Sequence, residues 1–234
     1  MDVKPLADLD PFDLFDAEAA RLDAYFSGLT EEEWNRSSRC AGWSVRDVLA
    51  HLAGEELYNH ACLDDDLPGL FATLEEEGVA DLAAFNDWCV TTRRDLPVAE
   101  VLEEWRSKSG DTRRRMRERG PDATIPTMAG LYPVGLQTFH YGSEYATHAD
   151  DVGVPVTEAE APGRADWRAR VGLFALSEKD TPVRVQESGG GYRVRLGEHG
   201  AELSKAEFVD ATTARLPAGH PLPSVLRTAL RCLA

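Results

Sequence analysis

No CxxC pair, no long apolar run and no excess of positive charge occur in these 234 residues, and each absence excludes a class of protein. The four cysteines (Cys40, Cys62, Cys89 and Cys232) are scattered, so neither a zinc knuckle nor a disulfide framework is indicated. No apolar stretch approaches the length needed to cross a bilayer. The start, Met1-Asp2-Val3-Lys4-Pro5, lacks the basic-then-apolar pattern of a secretory signal. Together these features lead us to expect a cytoplasmic protein with reduced thiols. The formal net charge of −16 argues against non-specific partnership with nucleic acid or anionic membranes, both of which need basic surfaces. There is no internal repeat and no phosphate-binding glycine loop; Gly189-Gly190-Gly191 reads as a hairpin turn.

What is present is ordinary for a folded chain: 28% charged and 43% hydrophobic residues, with enough length for one large domain or two small ones. Asp10-Pro11 reads as an N-cap with proline at the first helical position. Phe12, Phe15, Ala19, Leu22, Phe26 and Leu29 then recur at helical spacing. A short helical turn is expected at Thr30-Glu31-Glu32-Glu33. Ser44 with Asp47 forms a capping box, which predicts a second helix from Ser44 to about Cys62. Asp64-Asp65-Asp66-Leu67-Pro68-Gly69 reads as a break, followed by a less regular helical stretch from about Val79 to Arg94. Pro97 opens a long helix ending near Gly120-Pro121, residues 121–132 read as a loop, and Pro133 opens a last long helix to about Asp151. The basic run between Arg106 and Arg119 is either a cradle for an anionic substrate or a solvated face that complements the helix dipole, and the second is the simpler reading.

Four long amphipathic segments with turns between them predict an up-down four-helix bundle over residues 1–155. Residues 156–234 change texture. A helical piece lies around Trp167 to Leu176. Alternating strands follow at 182–187 and 192–196, with a third near Ala201-Glu202-Leu203, and the end from about Pro223 to Leu233 is helical. The expected class is α+β, a bundle followed by a small α+β domain.

The chemistry-bearing stretch is Gly142-Ser143-Glu144-Tyr145-Ala146-Thr147-His148-Ala149-Asp150-Asp151. Glu144 and His148 share one helix face a turn apart. A carboxylate and an imidazole so placed can grip a metal ion if a third ligand arrives, and His51, on the capped second helix, is the candidate. Spacing alone is weak evidence, because a lone histidine on a helix is more often a hydrogen-bonded core or surface residue. Two features strengthen the metal reading. Bundle interiors are where carboxylate–imidazole sites are built, and His140, Glu144, His148 and Asp151 form a row of polar groups that is costly to bury uncompensated. His140 and Glu55 remain open as competing ligands, as bases or as residues that simply face solvent. Asp151 and Asp47 could orient ligand imidazoles, although capping is the simpler role for Asp47. The cysteines read as packing residues, with Cys62 on roughly the same face as His51.

The segment Gly42-Trp43-Ser44-Val45-Arg46-Asp47-Val48-Leu49-Ala50-His51-Leu52, followed about ninety residues later by Glu144 through Asp151, resembles the mycothiol-dependent maleylpyruvate isomerase family of the DinB-like metal-binding bundles. The similarity covers residues 8–153, and the tail has the size and position of that family's C-terminal domain. The resemblance implies His51, Glu144 and His148 as ligands of zinc or another divalent ion, with mycothiol as thiol cosubstrate. It also implies a C-terminal-domain arginine that binds substrate; Arg215 is the nearest candidate, with Arg227 and Arg231 also available. The expected activity is thiol attack on a small electrophilic substrate, as a cis–trans isomerase of the maleylpyruvate type or a thiol S-transferase, in a monomer or homodimer. The rival expectation is a metal- or ligand-binding bundle without catalysis.

Overall fold

The structure is a computed structural model that describes residues 1–179 and 181–233. It divides into two compact units, Pro11–Val154 and Met1–Asp10 together with Pro155–Ala234.

The larger unit is built on four helices: α1 (Pro11–Ser27), α3 (Val45–Asp64), α6 (Val98–Arg119) and α7 (Val134–Val152). Each starts where local chemistry predicts. Pro11 and Pro97 sit at or just before a first turn, where a missing N–H costs nothing. At α3 the Ser44 hydroxyl accepts from the Asp47 N–H, while the Asp47 carboxylate accepts from the Ser44 N–H. A short α2 (Glu31–Trp34) carries a second capping box from Thr30 and Glu33. The apolar stripes meet in one core that includes Phe15, Leu22, Phe26, Leu49, Leu52, Trp105 and Met116.

The helix directions follow from which ends touch. Tyr25, late in α1, donates to the carbonyl of Val152 at the end of α7, while Phe15 packs on Tyr141 and Tyr145, so α1 and α7 run the same way. Thr112 donates to Glu56, and Arg115 pairs with Asp64, so α3 and α6 also run together. Asp23 meets Arg106 while Asp13 meets Arg117, which sets α1 against α6. The order is therefore up-down-down-up. It is possible because the chain between α3 and α6 holds two further helices, α4 (Leu67–Glu76) and α5 (Leu82–Thr91), which carry it back to the starting end.

Helix α4 lies where the sequence reads as a break. Asp66 is its N-cap, accepting from the Gly69 N–H, and Pro68 sits in its first turn, so residues read as breakers are starters. Helix α5 packs on α3 at Gly54, where a Cβ would stand 2.4 Å from the Cβ of Cys89. The expected loop at 121–132 contains a two-stranded hairpin, β1 (Thr124–Thr127) and β2 (Gly130–Pro133). The basic run on α6 is paired mainly with acids of α1, α3 and its own next turn, as the solvated-face reading holds.

The smaller unit has α8 (Ala161–Glu178), an antiparallel sheet of β3 (Arg184–Ser188), β4 (Gly191–Leu196) and β5 (His199–Ser204), then α9 (Lys205–Thr212) and α10 (Ser224–Leu230). The β3–β4 turn uses Gly189 and Gly190, both at positive φ, as the glycine run predicts. Helix α9 went unread in the sequence although Ser204 and Glu207 make a full capping box. The first ten residues belong with this unit because Arg170 of α8 donates to the Pro5 carbonyl and pairs with Asp8. The chain is thus α+β, and among the described residues no helix is long and apolar enough to cross a membrane.

Candidate metal centre

His51 lies two turns into α3, and Glu144 and His148 occupy one face of α7. The antiparallel packing of these helices brings one ligand atom from each within 4.8 Å of the others. The His51 and His148 rings are 4.9 Å apart at 70°, and His51 Nε2 is 3.7 Å from Glu144 Oε1. Both histidines are buried, while the Glu144 side chain keeps 31% of its surface exposed. Two imidazoles and a carboxylate form a donor set suited to zinc and related divalent ions, with positions left open for other ligands.

The two imidazoles are supported differently. His148 Nδ1 is 3.1 Å from the buried Asp151 carboxylate, one turn on, which leaves Nε2 for an ion. His51 Nδ1 is buried and has no hydrogen-bond partner among the described residues. Its ring is set by packing, with the Trp43 ring 5.1 Å away. Of the two orienting acids weighed from sequence, Asp151 takes that position and Asp47 stays in the cap.

The electrostatics show mutual dependence. Burial lowers the His51 pKa, and the hydrogen bond to Glu144 only partly opposes it. Burial alone would raise Glu144, but hydrogen bonds to His51 and Glu55 outweigh it and bring the carboxyl to about 2. Burial would likewise lower His148, yet Asp151 and Cys40 hold it up at about 9. Glu55 is 3.7 Å from His51 Nε2; burial, with Glu144 beside it, drives its carboxyl well above the ordinary range.

The competing candidates fall outside the three-residue group. His140 faces Tyr132, with Nε2 3.4 Å from the hydroxyl. Cys62 is fully buried, and burial pushes its thiol up to about 11, in keeping with a packing role. Cys40 is what the sequence did not disclose. Its thiol donates to Asp151 at 3.2 Å and lies 3.9 Å from His148 Nδ1, forming a second cluster that shares His148. The only sequence signal was its place in the loop before α3, whose path is fixed by bonds such as Arg39 N–H to the Asp151 carbonyl. Arg215 belongs to the other unit, just past α9, and donates to the Thr213 carbonyl.

A bundle whose core gathers two imidazoles and a carboxylate from facing helices offers a candidate site for a divalent metal. The family model described as the mycothiol maleylpyruvate isomerase N-terminal domain matches residues 15–153, and the chain belongs to that family. No curated protein and no solved structure matches it.

Proposed function

We propose that the protein is a divalent-metal-dependent enzyme that activates a low-molecular-weight thiol, mycothiol, for attack on an electrophilic substrate. The observation that carries this reading is the convergence of His51, Glu144 and His148 within 4.8 Å in a chain of this family. These three side chains would hold zinc or another divalent ion, and Asp151 would fix the ring of His148 and strengthen it as a donor. An ion bound there supplies one thing, a lowered pKa for a thiol beside it, so that thiolate is present at neutral pH.

The protein's own residues shape the rest. The partly exposed edge of Glu144 marks where the buried group opens outward, and Glu55 stands beside it. A thiolate arriving there can add to a conjugated double bond. If the resulting single bond rotates and the displaced electron pair returns to expel the thiolate, the outcome is cis–trans isomerisation; if that carbanion instead takes up a proton, equal to the one the thiol gave up, the adduct is kept and the outcome is S-transfer.

The test is metal content by elemental analysis for wild type and His51→Ala purified alike, followed by thiol-dependent consumption of an electrophile. We expect about one equivalent of metal in the wild type, with most of it lost in the variant together with turnover. Equal or negligible metal in both after zinc is added back would dismiss the site. Metal retention without any thiol-dependent turnover would favour a binding protein instead.

A further inference from the structure

Beside Glu144 and Glu55, within the larger unit alone, opens a cavity of about 610 Å³, a size typical of small-molecule sites. Its outer wall is the α4–α5 layer: Leu70, Phe71, Leu74, Val79, Leu82 and Phe85. Three apolar side chains that line the cavity stand open: Phe71 and Leu82 of that layer at 44% and 57% exposed, and Met128 in the β1–β2 turn at 63%. Solvent-facing apolar groups lining a cavity of that size mark a surface that gains by being covered.

The charges on the wall are one-sided. The carboxyl groups are Glu55, Glu75, Asp81 and Glu144; among the described residues that line the cavity there is no lysine or arginine, and the imidazole there, His140, faces the Tyr132 hydroxyl. A carboxylate entering it would leave water for an apolar wall, beside the acids Glu75 and Asp81 and with no lysine or arginine among the described lining residues to pair with. An ion held by His51, Glu144 and His148 would bring positive charge to the Glu144 end only. The uncharged amide of Gln137, on α7, offers hydrogen bonding without selecting charge.

We infer that this cavity takes an uncharged, apolar electrophile, so that the substrate is a neutral aromatic or aliphatic compound and not a small carboxylic acid. The inference rests on the thiol-activating reading of the neighbouring site and selects within it. Arg215 then has no substrate carboxylate to bind.

The test is binding, which needs neither thiol nor turnover. Fluorescence of the neutral probe phenylnaphthylamine is followed with the whole protein at about pH 8, where an ordinary histidine is neutral. The probe is displaced with the matched pair naphthylacetamide and naphthylacetate. We expect the amide to compete at least about tenfold better than the carboxylate. Phe71→Ser, at an exposed position, should weaken both by about threefold or more. Gln137→Arg should narrow the preference or reverse it by supplying the missing cation. Equal or better competition by naphthylacetate in the wild type overturns the inference, most pointedly if Arg215→Ala abolishes it. Displacement of the probe by the thiol alone also overturns it, since the cavity would then be the thiol's. The two readings fail separately. His51→Ala, which takes the ion's positive charge away from the Glu144 end, should hold or widen the amide preference and never reverse it, whereas a chain that never holds metal defeats the site reading whatever the probes show.

Discussion

Replacing Asp151 by asparagine tests the centre more sharply than removing a ligand. The side chain is fully buried, its Oδ2 lies 3.1 Å from His148 Nδ1, and it also accepts from the Cys40 thiol. Asparagine keeps the shape and one acceptor but removes the charge that holds His148 as a strong donor. Loss of such an orienting carboxylate weakens metal binding by about 10–100-fold, or about 1.4–2.7 kcal/mol. The assay is competition for zinc with a chromophoric chelator at about pH 9. At that pH protons compete only modestly for an imidazole whose pKa is about 9, so the altered basicity of the ring does not mask the change. The same assay separates the two overlapping clusters. With His51, Glu144 and His148 as ligands, Asp151→Asn weakens binding within that range, His51→Ala nearly abolishes it and Cys40→Ser leaves it within about threefold. With Cys40, His148 and Asp151 as ligands, Cys40→Ser would abolish binding while His51→Ala changed little. That second pattern would refute the assignment of roles, and unchanged affinity in Asp151→Asn would refute the orienting argument alone.

Other consequences follow from the bundle. Gly54→Ala places a methyl 2.4 Å from the Cβ of Cys89, so α3 and α5 must separate; a loss of about 1–3 kcal/mol should appear as a melting point lower by several degrees, and unchanged melting would mean the helices pack less closely than shown. Ser44→Ala removes the acceptor for the Asp47 N–H at the start of α3 and should cost about 1 kcal/mol by denaturant titration, with no change arguing that the cap is redundant. Glu56 is wholly buried and accepts from Thr112 and Tyr145, yet burial outweighs those bonds and raises its carboxyl. A carboxyl raised on folding stabilises most below its unfolded value, and that contribution disappears as pH rises through the folded value. Wild type should therefore gain on Glu56→Gln as pH is lowered from about 8 to 5, and a melting difference that is flat or moves the other way would contradict the raised value.

Much of this centre was legible because helical spacing carries it. The capping box at Ser44 fixes the phase of α3 and so the depth of His51, and the four-residue step from Glu144 to His148 fixes their shared face whatever the rest of the chain does. Asp151, three residues on, follows from the same geometry. What spacing cannot give is the placement of segments against one another. Asp64 through Gly69 looks like a break because acidic, proline and glycine residues serve helix starts as well as turns, so α4 and the cavity wall it supplies stayed hidden. The parallel run of α3 and α6 depends on that same crossover. Cys40 reaches His148 through a loop held by long-range backbone bonds, which leave no periodic trace.

The crowding at the centre is itself an argument about what it is for. His51, Glu55, Glu144, His148 and Asp151 share one region between two helices, and a structural core could have been filled there with apolar side chains at no electrostatic cost. Instead burial pushes His51 down and Glu55 up, each toward its neutral form, while Glu144 and His148 stay charged only through one another and their immediate partners. Buried groups in that condition fold at a penalty that a divalent cation relieves, since it satisfies the imidazoles and the carboxylate at once. Asp151 is already in place behind His148, and the buried Nδ1 of His51 has no such partner. That asymmetry makes α7 the firmer half of the site and α3 the half most improved by a ligand. Zinc should accordingly raise hydrogen-exchange protection more in α3 around His51 than in α7 around His148, and equal protection of both helices would remove the grounds for treating the two imidazoles differently.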